Sequence, residues 1–398
     1  MYILYNPQGN TEGHSQQYAT NITNGLIDAG FYVEMVTSQD FDPSNIDDQS
    51  RFNIRHTEIV NTRSVKKDDS RFLGRLAYGA VILKNNYKSF RTLSQSIHEN
   101  DFTYLSIIGG DTLSNLMYLF FNFKLDKSKC SITIHNADYD LSLYRKDFAR
   151  YIFKLISKLL LKFLLRTRLV IFTHGEIMSE ALADQLRCPV KRIKFYRVPA
   201  VQVDLSMVKK SQANNPVKLL FLGLIRYDKG FDILCRSLSE LKSVLQFELI
   251  VAGSAAQVGE SYVNDLIERY KLRERTSLDL RYLSDLELED YILKSDITIL
   301  PYRKTFLAKS VVMSDTVRLG TPAITTVESQ NGHDVNTFGV GWSFASEDHN
   351  DLTRVIELAI KEILERSKNF GFNDYINAHL PKSVGNQIKS AMESSCVG

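Results

Sequence analysis

From Val217 to Thr326 the chain alternates short apolar runs with amphipathic segments, and this alternation confines it to a parallel α/β sheet. The first run, Val217-Lys218-Leu219-Leu220-Phe221-Leu222-Gly223, has the length and composition of a buried strand. It passes through Leu224-Ile225-Arg226-Tyr227-Asp228-Lys229-Gly230 into an amphipathic segment, Phe231 to Ser243. Strands at Phe247 to Gly253 and Asp296 to Tyr302 follow, then a helix ending in Leu319-Gly320-Thr321-Pro322, then a strand from Ala323 to Thr326. Parallel sheets bind ligands beyond the carboxyl ends of their strands, where Gly223 and Pro301 fall. A helix N-terminus offers unpaired N–H groups and the positive end of a dipole there. Arg226 and Lys229 add full charges, which suits the spot to phosphate.

Three pieces in order, Phe221 to Gly230, Ser295 to Arg303 about seventy residues later, and Asp315 to Thr326, resemble the donor domain of retaining glycosyltransferases of family 4. The resemblance implies an α/β protein of the GT-B fold, two Rossmann-like domains with parallel sheets facing across a cleft. The implied domains are an acceptor-binding domain at 1–205, a linker at 206–216, a donor domain at 217–370, and C-terminal helices at 371–398 that cross back to the first domain.

In such a transfer the departing diphosphate gathers negative charge, and cations and N–H donors lower the barrier by stabilising it. By the resemblance, Gly223, Arg226 and Lys229 bind the donor phosphates, with the Arg two places later than in the commonest family pattern. A helix beginning at Lys309 would offer the amides of Ser310 and Val311. Most members carry Glu-x7-Glu here, and this chain has Leu307 and Asp315 instead. Asp315 can still accept from ribose hydroxyls. Leu307 cannot replace the carboxylate that meets the sugar, and Lys309 is the alternative contact. Gly253 ends a strand where the base is often held.

At 398 residues the chain suits two domains better than one core. A 44% hydrophobic, 24% charged composition is that of a globular protein, and a net charge of +3 gives no case for nucleic acid. Residues 1–205 hold 26 Lys and Arg against 21 Asp and Glu, so the basic excess lies in the first half. Cys130, Cys188, Cys235 and Cys396 are too scattered for a disulfide framework or a zinc site, which fits a reducing cytoplasm. The N-terminus lacks a signal-peptide pattern, and no stretch of about 18 apolar residues suggests a span.

In the first half, a strand at residues 2–5 leads into a loop with Gly9 and Gly13, then a helix with His14 near its start. The resemblance places Gly9 toward the donor and His14 in the cleft; two turns needing positive φ would explain the glycines equally well. Residues 38–75 are polar, basic and poorly periodic, and read as a surface excursion or an acceptor-binding insertion. The strand at Thr103 to Ile108 stops at Gly109-Gly110, and that at Cys130 to Ile134 stops at His135-Asn136. The family often has a His where His135 stands, able to donate or accept near neutral pH. Asp138-Tyr139-Asp140 has the form of the metal motif of the other large glycosyltransferase fold, and the second strand–helix array from Val217 argues against that fold. Leu169 to Thr173 is another strand, with His174 at its tip.

Arg145 to Arg168 combines a four-residue repeat of basic residues with Phe, Ile and Leu on the other faces. Such a helix either packs on its sheet with a solvated basic edge or lies on an anionic membrane surface.

These readings point to a metal-independent, retaining glycosyltransferase with no cofactor. It would move a sugar from UDP or GDP to a saccharide or lipid-linked acceptor in cell-surface polysaccharide synthesis. The expected place is cytoplasmic, peripheral at the inner face of the membrane. A GT-B epimerase or phosphorylase would need carboxylates or a cofactor lysine that the sequence does not present. A degenerate GT-B subunit that binds a partner transferase is the non-enzymatic alternative, and Leu307 speaks for it.

Overall fold

The structure, a computed structural model, describes residues 1–6, 14–57, 72–109, 112–145, 147–200 and 216–396. The chain divides into two compact units, Met1–Pro199 with Pro381–Gly398, and Ala200–Leu380.

The first unit runs β1 (Tyr2–Asn6), α1 (His14–Asp28), β2 (Val33–Ser38), β3 (Phe52–Thr57), α2 (Phe72–Glu99), β4 (Tyr104–Ile107), α3 (Leu113–Phe121), β5 (Cys130–Thr133), α4 (Phe148–Leu164), β6 (Val170–Thr173), α5 (Glu176–Leu186) and β7 (Ile193–Phe195). Its sheet has the order β3-β2-β1-β4-β5-β6-β7, and every pairing is parallel. Every residue of β1, β2, β4, β5 and β6 is buried, as a sheet covered on both faces requires.

Residues 38–75 are not one irregular excursion, because they contain β3 and the start of α2. As an edge strand β3 has polar residues at its middle positions, and Asn53 and Arg55 donate to the buried carboxylate of Glu34 at 3.1 and 3.2 Å. Only Phe52 and Ile54 alternate with polar residues before His56 and Thr57, too short a pattern to be read as a strand. Residues 58–71 lie outside the described residues.

The second unit runs β8 (Val217–Leu222), α6 (Phe231–Ser239), β9 (Phe247–Ala252), α7 (Glu260–Arg269), β10 (Thr276–Asp279), α8 (Asp285–Leu293), β11 (Ile297–Leu300), α9 (Val311–Arg318), β12 (Ala323–Thr326), α10 (Gln330–Phe338), β13 (Gly341–Phe344), α11 (His349–Glu365) and α12 (Phe372–His379). Its order is β10-β9-β8-β11-β12-β13, again all parallel. In both sheets the winding reverses once, at β1/β4 and at β8/β11, and such switch points are where open parallel sheets hold ligands. No helix of the described residues is long and apolar enough to cross a membrane.

Of the two C-terminal helices, α12 packs in the second unit against α9 and α10, while α13 (Pro381–Cys396) packs against α1 in the first. The two helices of the first unit meet at a glycine pair: a Cβ on Gly385 would lie 1.8 Å from the Gly25 carbonyl oxygen, and one on Gly25 would lie 2.2 Å from that of Pro381. In an open helix Gly→Ala gains about 1 kcal/mol. Here Gly385→Ala is expected to destabilise instead, by about 1–3 kcal/mol, because the backbones must separate. Chemical unfolding followed by circular dichroism reads the sign.

Candidate active site

In the second unit the β8 turn and the loop after β11 meet at the switch point. Lys229 ends a tight turn, Tyr227–Lys229, just before α6. Its Nζ lies 3.7 Å from the ring centre of Tyr302 and 4.1 Å from that of Phe306, both in the segment following β11. Two aromatic faces attract an ammonium without neutralising it. Among the described residues no carboxylate pairs with Lys229.

Arg226 is held differently. Its Nε donates to Asp228 Oδ1 at 2.8 Å and its Nη2 to Oδ2, a two-pronged pair within one turn. That hydrogen bonding raises the guanidinium pKa. The β8 turn has Gly223 at φ 100°, and a Cβ there would sit 3.3 Å from Val312 of α9, so the first turn of α9 lies beside it. Gly253, at the end of β9, has φ 128°, and a Cβ on it would lie 2.1 Å from the Gly223 carbonyl oxygen.

The start of α9 differs from expectation in two respects. The helix begins at Val311, and the Ser310 amide already donates to Asn331 Oδ1 at 2.9 Å. The Ser310 hydroxyl shares a 3.0 Å hydrogen bond with Tyr302 and does not cap the helix. Lys309 is not a surface contact. It forms an ion pair with Asp334 in which both side chains are 3% exposed, and Gln330 donates to the other carboxylate oxygen at 2.8 Å. Burial opposes the Lys309 charge, yet Asp334 holds its pKa above the ordinary value. The first-turn amide of Val311 has no side-chain cap. Asp315, one turn further, accepts from Arg318 Nε at 2.8 Å, and Arg318 also bonds Glu289.

In the first unit, two expected residues come together. His135 follows β5 and His174 follows β6, and their rings share a 2.9 Å hydrogen bond between His135 Nδ1 and His174 Nε2. Tyr18 of α1 approaches His174 Nε2 at 3.4 Å and shares a 2.5 Å hydrogen bond with Tyr196, which reaches Thr133 at 2.9 Å. Burial, then His135, depress the His174 pKa well below 6.5, so the ring is neutral. Burial raises the Tyr196 phenol to about 12 and pushes that of Tyr18 well above its ordinary value. The result is a hydrogen-bonded run of hydroxyls and imidazoles, with His174 neutral, that ends at the partly exposed His135. Asn136 beside it is exposed.

Gly109 takes φ 75° and its carbonyl accepts from Asn115 at 2.9 Å. Gly9 and Gly110 lie outside the described residues, and His14 is described only as the first residue of α1. The carboxylates of the Asp-x-Asp motif are occupied: Asp138 takes Lys154 at 2.6 Å, and Asp140 caps the turn at Ser142.

Residues 204–375 match the family described as Glycosyl transferases group 1. No curated protein matches the chain in sequence. Among solved structures, it resembles sucrose-phosphate synthase from Thermosynechococcus elongatus at 13% identity and a TM-score of 0.63, covering 100% of this chain and 96% of that one. Anabaena HepE in complex with UDP is 15% identical with a TM-score of 0.61, over 99% of this chain and 100% of that one. WaaG, a glycosyltransferase involved in lipopolysaccharide biosynthesis, is 13% identical with a TM-score of 0.60, over 100% of both chains. The fold is GT-B, two Rossmann-like units. Together with the family match it supports a nucleotide-sugar glycosyltransferase.

Sequence reasoning missed Tyr18 and Tyr196, which join the histidines from 117 and 22 positions away from His135 and His174 respectively, and Tyr302 and Phe306, whose rings hold Lys229. Of these only the aromatic pair had a local signal, standing just past a strand end.

A neutral His174 gives a pH dependence. The unfolded chain binds its proton near the ordinary 6.5, whereas the folded chain does so only at lower pH. Nothing is therefore lost above that pH, and stability falls as pH drops below it, by up to about 1.4 kcal/mol per pH unit. Thermal unfolding from pH 7 downward is expected to show a shallower loss in His174→Gln than in the wild type. At the end of β9, Gly253→Ala is expected to cost about 2 kcal/mol or more, from the strained φ and the clash with Gly223. Urea unfolding of that variant measures it.

Proposed function

We propose that the chain transfers a sugar, with retention, from a UDP- or GDP-sugar to a saccharide or lipid-linked acceptor, without a metal, in the assembly of a cell-surface polysaccharide. The observation that carries this reading is Lys229, a full positive charge held by neutral ring faces at a switch point. A cation kept in this way remains available to an anionic ligand. The UDP-bound HepE and the lipopolysaccharide role of WaaG support a nucleoside diphosphate and a glycan acceptor.

In this reading the bond from the anomeric carbon to the diphosphate breaks, and the acceptor oxygen forms its bond on the same face. The diphosphate takes the acceptor proton. Lys229 and Arg226 stabilise the negative charge as it develops, aided by the Val311 amide at the start of α9. Asp315 holds ribose hydroxyls. Gly223 and Gly253 let the β8 and β9 turns close tightly, giving the diphosphate and base a backbone-lined floor. His135, backed by neutral His174, is the group that orients the acceptor hydroxyl, with Asn136 and Gly109 on the acceptor side.

The second reading is a degenerate subunit that binds a partner transferase. The observations that favour it are Leu307 in place of a sugar-binding carboxylate and the burial of Lys309 against Asp334.

A thermal-shift screen with UDP, GDP, ADP, CMP and dTDP without metal separates the two readings, because a ligand of the native state raises apparent stability. One diphosphate is expected to stabilise the wild type and to lose most of that effect in Lys229→Ala and Arg226→Ala. In turnover, each substitution is expected to cost about 2–4 kcal/mol of barrier, on the order of a hundredfold or more. Binding by none of the five, with or without Mg²⁺, would place the degenerate subunit first.

A further inference from the structure

A surface helix ordinarily turns its apolar side inward and its polar side to water. α4 turns apolar residues both ways. Ser157, Leu161 and Leu164 are buried on one side. On the opposite side Phe148, Ile152, Ile156, Leu159 and Phe163 fall within an arc of roughly 80° at 100° per residue, and all five are exposed, Phe148 by 78% and Leu159 by 57%. The stripe continues onto a second element. Phe120 of α3 packs its ring 4.7 Å from Phe163 and 5.0 Å from Phe121, and Phe121 and Phe123 stand 60% and 80% exposed beside it. A continuous apolar patch spread over two helices marks an interaction surface, whereas single exposed apolar residues do not.

Its charge says what it meets. Lys154, Lys158 and Lys162 follow at four-residue intervals along one flank of the stripe; Lys154 is paired with Asp138 at 2.6 Å and Lys158 also donates to the Tyr139 carbonyl at 3.0 Å, so the flank's outward charge centres on Lys162. Lys158 lies close enough to Lys162 and Arg187 for their charges, after burial, to depress its pKa. Arg145, Arg150, Arg166 and Lys124 are exposed around the ends. From Met117 to Arg168 the sequence holds eleven Lys and Arg against four Asp and Glu. A second copy of this chain would set this basic flank against its own kind, whereas anionic headgroups above an acyl boundary match both the charge and the apolar stripe.

We propose that the α3–α4 face of the first unit docks on an anionic lipid bilayer, with Phe148, Leu159, Phe163 and Phe121 entering the interface and the Lys158–Lys162 flank lying on the headgroups. The binding is peripheral, since no described helix crosses a membrane. This surface is separate from the Lys229 site and does not depend on the donor reading.

The test is flotation of the full chain with vesicles of phosphatidylcholine, with and without phosphatidylglycerol. The wild type is expected to float with the anionic vesicles and to be released by high salt. Leu159→Asp with Phe163→Asp removes two interfacial side chains and adds two charges, and is expected to weaken partition by about tenfold or more. Lys162→Gln with Arg166→Gln is expected to lose the preference for anionic vesicles while keeping the stripe. These positions face solvent. A nucleoside diphosphate thermal shift retained by the variants, or an unchanged circular dichroism spectrum where no nucleotide binds, shows that they fold. Absence of wild-type flotation, or equal flotation of the Asp variant, overturns the proposal. So does a wild-type dimer in sedimentation that the Asp variant dissolves, which would make the face a contact between copies.

Discussion

The rings of Tyr302 and Phe306 hold the Lys229 ammonium in place without neutralising it. The contact is possible only because β8 and β11 are neighbours in the sheet, although 74 residues, including β9 and β10, lie between the end of β8 at Leu222 and the start of β11 at Ile297. The reversal of winding at that pair opens the space beyond the strand ends. Parallel pairing sends both loops to the same edge. The neighbouring backbone is correspondingly tight, with the end of β9 packed against the Gly223 carbonyl closely enough to exclude a side chain at Gly253.

Charge is handled in contrasting ways around this point. Arg226 is tied to Asp228 in its own turn while staying a third exposed, whereas Lys309 is buried against Asp334 beneath α9. A buried pair of this kind does not itself guarantee stability, but removing one partner leaves an uncompensated charge. Lys309 also lies 5.0 Å from the Tyr375 ring centre, but of the three cations only Lys229 has ring contacts with no carboxylate pairing it among the described residues. In the first unit burial keeps His174 unprotonated and Tyr18 and Tyr196 un-ionised, and the polar run gains its order from hydrogen bonds.

The sequence was most legible where local pattern decides structure. The apolar runs of β8, β9, β11 and β12 are continuous because both faces of a covered parallel sheet are buried, and they stand where the alternation places them. The α4 periodicity was equally plain, although it did not reveal which apolar side faces water. β3 escaped because an edge strand can carry Asn53, Arg55 and His56 and still pair. The fate of Lys309 and Ser310 was beyond local reading, since Asp334 and Asn331 come from α10 and only the fold brings them under α9. The Tyr18–His174–His135 cluster escaped for the same reason: its members come from α1 and the ends of β5 and β6. Position at a strand end identified both histidines as candidates, and it gave no hint that they touch.

The most direct measurement is a crystal structure of the full chain with UDP or GDP bound. A phosphate oxygen within about 3 Å of Lys229 Nζ, the length of a charge-assisted hydrogen bond, with the ammonium still beside Tyr302 and Phe306, is the predicted result. A diphosphate bound elsewhere, with no phosphate oxygen reaching Lys229, would contradict the account.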